Sequence, residues 1–153
     1  MLRHVIFTSQ QSACSRPAWS NWAVISITDV GTDDARLQHG WHDILRLGFD
    51  DIGYHIEGYV MCGEFHARAI IEFVTRCNDE KVEGILVHCY AGISRSAAVA
   101  KWVSERHGQS FPAEYAEYNK HVYTTLLEEH LLKESGDGGC VDKLKSFLRQ
   151  HAD

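Results

Sequence analysis

The pair of residues in this chain whose types and spacing best suit chemistry is Cys89 and Arg95, with five residues between them. A tight loop joining them would point its backbone N–H groups at an anion, and a helix beginning at the arginine would add a partial positive charge. The guanidinium can hold two phosphate oxygens, and the same field favours a thiolate over a thiol. A thiolate beneath a bound phosphate is placed for in-line attack on phosphorus. The spacing therefore indicates phosphate binding with nucleophilic catalysis.

The residues on either side predict the elements that position this loop. Residues 84–87 form a short apolar run typical of a buried strand, and residues 97–103 are typical of a buried helix. Cys89 would then end a strand, and Arg95 would start a helix. A structural cysteine beside a helix-capping loop would explain Cys89, but it would not explain why Gly92 and Arg95 occur at these spacings.

The full run from His88 to Ser96, HCYAGISRS, resembles the signature loop of the protein tyrosine phosphatase superfamily, and most of all its small dual-specificity branch. The resemblance implies hydrolysis of phosphorylated proteins through a phosphocysteine intermediate. It implies that Cys89 is the nucleophile, that Arg95 binds phosphate, and that Ser96 helps the sulfur to leave. The loop backbone expected to cradle the phosphate comprises Tyr90, Ala91, Gly92, Ile93 and Ser94.

Three polar residues of this loop also have ordinary interpretations. His88 would support the thiolate by the resemblance, although a histidine at a strand end is usually only packed. Ser96 near a helix start is also an ordinary cap. Ser94 is expected to offer its backbone N–H and to cap the helix.

A second group of interest is the pair Asp50 and Asp51, which follows a predicted strand over residues 44–49. Phosphoryl transfer needs a proton for the leaving oxygen, and a carboxylic acid near the pocket can supply it and later activate water. In the enzymes that the loop resembles, an aspartate after a strand does this, which favours Asp51. Asp50 is the alternative, because the Trp-Pro pair that precedes the acid in the larger tyrosine-specific enzymes is absent here. A solvated turn is the structural alternative for both.

Hydrophobic periodicity predicts the remaining elements. Strands are expected over 4–7, 23–28, 44–49 and 84–87, and helices over 64–77, 97–103, 112–133 and 140–150. Residues 8–22 read as a connection or a loop over the pocket, 29–34 as a turn with a possible helix cap at Thr32 or Asp33, and 134–139 as a linker. Asn119, inside a predicted helix, could reach the pocket, but it is assigned no site role. The order predicts one α/β domain over 1–153, with a largely parallel sheet of about four strands, helices on both faces and the site at the strand C-termini.

Composition narrows the possible partners. The formal charge of −6 argues against a general nucleic-acid or anionic-membrane binder, and no apolar run is long enough to cross a bilayer. No signal peptide is evident, and the cysteines are scattered at 14, 62, 77, 89 and 140, so free thiols in a reducing cytoplasm are expected. The ten histidines show no ligand spacing, so no metal and no cofactor are predicted.

Several alternatives stay open at the level of sequence. A rhodanese-like sulfurtransferase would have a shorter loop, and a phosphoinositide phosphatase would usually carry lysines in it, which this loop lacks. A pseudophosphatase that binds phosphorylated partners without turnover is the alternative from another class. Phosphotyrosine, phosphoserine or phosphothreonine, and small or lipid phosphate monoesters are all candidate substrates. Residues 1–40 depart from the usual start of the dual-specificity enzymes, which indicates a divergent branch, with a bacterial origin as one option.

Overall fold

The computed structural model describes residues 2–135. Its elements, in chain order, are β1 (His4–Ser9), α1 (Gln10–Ser15), β2 (Trp22–Thr28), β3 (Asp43–Gly48), α2 (Glu64–Asp79), β4 (Gly84–Cys89), α3 (Arg95–Arg106) and α4 (Lys120–Ser135). All strand pairings are parallel, and the four strands lie in the order β1-β4-β2-β3. The predicted α/β fold with a parallel sheet is confirmed.

The strands at the centre of the sheet are the most apolar. β4 is buried along its whole length, and β2 is buried in all but its last residue. Continuous burial is expected of parallel strands that are covered on both faces. Because β4 pairs with both β1 and β2, its last residue, Cys89, lies beside Ser9 of β1, and His88 lies beside Ser26 of β2.

Successive residues of β4 face opposite sides of the sheet. Ile85 and Val87 belong to the larger core, which the sheet forms with residues of α2, α3 and α4, including Ile70, Val99 and Leu126. The alternate position belongs to a smaller core on the other face, formed by Ala13, Trp22, Val24, Trp41 and Leu86. Helices therefore lie on both faces, as predicted, although α1, with 6 residues, is shorter than two turns.

The predicted helix over residues 112–133 is wrong at its start. Residues 112–119 form turns and irregular backbone, and α4 begins only at Lys120. The reason is a side-chain cap: Asn119 Oδ1 accepts a hydrogen bond from the Val122 N–H at 3.0 Å. An asparagine that caps the first turn competes with continuation of the helix in the N-terminal direction.

Two other predicted connections differ in detail. The turn-rich stretch 8–22 contains α1, which begins where Ser9 Oγ accepts a hydrogen bond from the Ser12 N–H at 3.1 Å. No helix follows the turn 29–34, and Thr32 Oγ1 donates instead to the Asp29 carbonyl at 2.6 Å.

At the other end of the described chain, α4 continues through Ser135, so the first two residues of the predicted linker 134–139 are helical. The rest of that linker and the predicted helix 140–150 lie outside the described residues. Within residues 2–135, no helix has the length and apolar content that a membrane span requires.

Candidate active site

Cys89 and Arg95 stand at the two ends of one tight loop at the carboxyl edge of the sheet. Cys89 is the last residue of β4 and Arg95 is the first residue of α3. The thiol is buried, with Sγ 3.1 Å from Ser96 Oγ, and the Gly92 N–H donates to Sγ at 3.3 Å. The hydroxyl of Ser96 therefore contacts the sulfur of Cys89.

Outward hydrogen bonds orient the peptide groups of the loop. The carbonyl of Tyr90 accepts from the Gln10 N–H at 3.1 Å, and that of Ile93 accepts from the Tyr115 hydroxyl at 2.5 Å. In a trans peptide unit the following N–H points away from the carbonyl. The N–H groups of Ala91 and Ser94 are therefore turned to the other side of the backbone, where a loop of this kind forms an anion nest.

The guanidinium of Arg95 donates hydrogen bonds through one nitrogen, whereas another nitrogen has no acceptor among the described residues. Arg95 is 4 % exposed, and its Nη1 donates to Asp29 Oδ1 at 2.7 Å and to the Phe49 carbonyl at 2.8 Å. Nε is buried and has no hydrogen-bond partner among residues 2–135. A buried donor without a partner costs about 1–3 kcal/mol.

His88 is fixed in the sheet behind the loop. Its Nε2 lies 2.6 Å from Ser26 Oγ, and its Nδ1 lies 3.3 Å from the Cys89 carbonyl. Burial lowers the pKa of His88, so the neutral ring is the stable form. A neutral ring satisfies both contacts when Nδ1–H donates to the carbonyl and Nε2 accepts from the serine hydroxyl. His88 therefore fixes the backbone that carries the thiol.

The two adjacent aspartates after β3 face different parts of the molecule. Asp51 Oδ1 accepts hydrogen bonds from Ser94 Oγ and from Asn119 Nδ2, both at 2.8 Å. Its carboxylate therefore lies against the loop. Asp50 closes backbone instead: Oδ2 accepts from the Val60 N–H at 2.8 Å and Oδ1 from the Val30 N–H at 3.3 Å.

Ser94 is the N-cap residue of α3, as predicted, but its side chain does not make the cap. No side-chain cap hydrogen bond is made at the start of α3, because the hydroxyl of Ser94 donates to Asp51. The Ser94 carbonyl accepts from the N–H groups of Asn119 and Ala98, at 3.0 and 3.1 Å. Ser94 therefore links the loop, the aspartate and the start of α4.

Sequence reasoning missed three contributors to this site, Ser26, Asp29 and Tyr115, and it assigned no role to Asn119. Asp29 had been interpreted only as part of a turn, and Asn119 as an interior position of a helix. A cap signal was available for Asn119, since asparagine favours the residue before a helix. Nothing local in the sequence distinguishes Asp29 from Asp33 or Asp34.

The other described cysteines are separate from this chemistry. Cys62 and Cys77 are buried free thiols, and burial raises the pKa of each to about 12. Both therefore stay protonated and unreactive near neutral pH. Cys14, on α1, is a half-buried free thiol.

The structure places a tight loop between a cysteine and an arginine at the carboxyl edge of a parallel α/β sheet, which is the arrangement that the sequence predicts. No protein-family model and no curated protein matches the sequence. Among solved structures, the chain is similar to human DUSP28, with a TM-score of 0.56 over 87% of this chain and 95% of that one, at 18% identity. It is also similar to a human tyrosine phosphatase-like serine/threonine/tyrosine-interacting protein, with a TM-score of 0.49 over 97% and 93%, at 16% identity. The chain has the fold of a small dual-specificity phosphatase.

Proposed function

We propose that this protein is a cysteine-dependent phosphatase that hydrolyses phosphotyrosine, and also phosphoserine or phosphothreonine, on proteins. The observation that supports this proposal most directly is the state of Arg95. Its Nη1 is held by two protein acceptors, and its Nε is buried with no hydrogen-bond partner among residues 2–135. A phosphate is the ligand whose geometry matches a guanidinium fork together with converging backbone N–H groups.

In the first step the phosphate would bind to the loop N–H groups and to Arg95. The Cys89 thiolate attacks phosphorus while the bond to the leaving oxygen breaks. Asp51, as a carboxylic acid, gives its proton to that oxygen, so that an alcohol or phenol leaves and phosphocysteine remains. General acid catalysis of this kind typically contributes about 10²–10⁴ in rate. The contact of Asp51 with Ser94 supports this role over that of Asp50.

In the second step the Asp51 carboxylate would take a proton from water as the water oxygen attacks phosphorus. The sulfur–phosphorus bond breaks, phosphate is released and the thiolate is restored. Ser96, with its hydroxyl 3.1 Å from the sulfur, stabilises the departing thiolate by donating a hydrogen bond to it.

The test is hydrolysis of p-nitrophenyl phosphate in the presence of a chelator, followed by phosphotyrosine and phosphothreonine peptides of one sequence. Cys89→Ser is expected to lower kcat by at least about a thousandfold, because a serine hydroxyl in the same place is not ionised. It should still bind orthovanadate or phosphate in calorimetry. Cys14→Ser is the matched control, since it removes a free thiol that lies on α1 and outside the loop.

Other outcomes would select a different function. Wild-type protein that binds vanadate but turns over no ester would be a phosphate-binding module. Turnover of small or lipid monoesters without turnover of either peptide would move the substrate class away from proteins. Full activity in Cys89→Ser would exclude the thiolate mechanism.

A further inference from the structure

An ion pair outside the signature loop holds Arg95 from one side. Asp29 follows β2 and Phe49 follows β3, two neighbouring parallel strands, and both supply acceptors to Arg95 Nη1. The distances are 2.7 Å to the Asp29 carboxylate and 2.8 Å to the Phe49 carbonyl. A guanidinium is planar and rigid, so fixing one nitrogen from two directions also fixes the direction of the other two.

The position of Asp29 is itself fixed by its backbone. Its carbonyl accepts from the Thr32 N–H at 3.2 Å and from Thr32 Oγ1 at 2.6 Å, which closes a turn. Gly31 in that turn has a φ of +83°, a conformation that glycine adopts without strain. The next N–H, that of Val30, donates to Asp50 at 3.3 Å. Asp29 is thus anchored on both sides, unlike a carboxylate on a mobile surface side chain.

The neighbouring carboxylates do not share this contact. Asp29, Asp33 and Asp34 all line a cavity of about 410 Å³ beside the loop. Asp34 faces Arg46 at 4.0 Å, and of these three described residues Asp29 is the one in contact with Arg95. Its side chain is 46% exposed, so solvent screens the pair and little of its effect is expected in stability.

We propose that Asp29 is a positioning residue: it holds Arg95 Nη1 so that Nε and Nη2 face the phosphate site above Cys89. Its effect on catalysis rests on the proposed function, but its effect on anion binding does not. Loss of Asp29 frees the guanidinium to rotate while making the site more positive. Misorientation harms the transition state more than the ground state, since a small misplacement can cost about a hundredfold in rate. The expected signature is therefore a fall in kcat without a matching rise in KM.

Three variants separate orientation from charge and from folding. Asp29→Ala is expected to lower kcat about 10- to 100-fold with KM within about threefold of wild type. Asp29→Asn keeps an oxygen that can accept from Nη1, so it should retain kcat within about threefold even if the alanine variant fails to fold. Asp33→Asn removes a carboxylate from the same cavity and should match wild type. If Asp29→Ala keeps kcat within about twofold of wild type, or if Asp29→Asn is as slow as Asp29→Ala, the positioning role is wrong.

A second readout needs no turnover. Cys89 is alkylated with iodoacetate, whose carboxylate can dock on the loop, or with neutral iodoacetamide, and the modified peptide is quantified by mass spectrometry. Asp29→Ala should lower the iodoacetate-to-iodoacetamide rate ratio at least about threefold, whereas Asp29→Asn and Asp33→Asn should keep it. A ratio that is unchanged or higher in Asp29→Ala would show that Asp29 only offsets charge and would overturn the proposal. A third outcome separates the two proposals. If wild-type protein hydrolyses no ester but prefers iodoacetate, and Asp29→Ala loses that preference, the proposed function is refuted and the positioning role stands.

Discussion

Ser94 Oγ donates a hydrogen bond to Asp51 Oδ1 at 2.8 Å, and this contact joins the anion loop to the loop that follows β3. Asn119 Nδ2 donates to the same oxygen at 2.8 Å and to the Ile52 carbonyl at 3.1 Å. The carboxylate is therefore held between two segments that are distant in sequence. The proposed role of Asp51 as a general acid requires a fixed position of this kind.

The adjacent aspartates provide a matched pair of variants. Asp51→Asn is expected to lower kcat about a hundredfold or more on a phosphothreonine peptide, because an alkoxide leaving group needs the proton. The loss should be much smaller on p-nitrophenyl phosphate, whose phenolate leaves without help. Asp50→Asn should instead weaken the backbone closure at Val60 and lower the free energy of unfolding by about 1 kcal/mol. Steady-state kinetics and urea unfolding of both variants would measure this, and a larger kinetic loss in Asp50→Asn would reassign the acid.

Asn119 combines two roles that separate variants can distinguish. Asn119→Asp keeps an oxygen to accept from the Val122 N–H, so the cap of α4 survives, but it places a second carboxylate against Asp51 and removes the donor. We expect a stability within about 1 kcal/mol of wild type together with a raised optimum pH for turnover, because a neighbouring negative charge favours the protonated acid. Asn119→Ala loses the cap as well and should be less stable than Asn119→Asp by about 1 kcal/mol.

The measurement is a pH–rate profile beside thermal unfolding for each variant. An unshifted profile in Asn119→Asp would mean that the carboxylate it contacts does not titrate in turnover. If Asn119→Asp loses as much stability as Asn119→Ala, Oδ1 of Asn119 is not the acceptor that caps α4.

The strand–loop–helix unit around Cys89 was predictable because its signals are local: an apolar run, a glycine and a spacing. The position of Asp29 was not predictable, because it depends on β2 lying between β4 and β3, and strand order is a long-range property. The helix start at Lys120 was missed for a related reason, since aromatic residues at helical spacing before Asn119 outweighed a single capping residue. What could be predicted was therefore the fold around the loop, and what could not was the set of side chains that contact the loop from distant segments.

The buried His88 predicts a pH dependence of stability. Burial lowers its pKa from 6.5, so just below that pH the unfolded chain binds a proton that the folded protein does not. Stability is then complete above pH 6.5 and falls as the pH is lowered through this window, by up to about 1.4 kcal/mol per pH unit for one histidine. Urea unfolding between about pH 7 and about pH 5 should show the slope, and His88→Asn should reduce it. The comparison uses the change of unfolding free energy with pH and not its absolute value, because His88→Asn also loses packing. If that pH dependence is unchanged in His88→Asn, it is assigned to His66, His107 and His130, whose pKa values burial also lowers.

Gly92 is a loop position at which any side chain would clash with the backbone of β1. Its φ is +75°, and a Cβ there would lie 2.3 Å from the Ser9 nitrogen and 2.4 Å from the Thr8 carbonyl carbon. Gly58 has a similar φ of +86° with nothing within 4 Å of its Cβ position, so it isolates the cost of the backbone angle alone. Gly58→Ala should cost about 1–2 kcal/mol in unfolding free energy. Gly92→Ala should lower the free energy of unfolding by more than Gly58→Ala does, because the loop must move away from β1. For the same reason, bound phosphate should no longer protect Cys89 from alkylation in Gly92→Ala. If the two variants lose equal stability and both keep phosphate protection, close approach to β1 does not shape the loop.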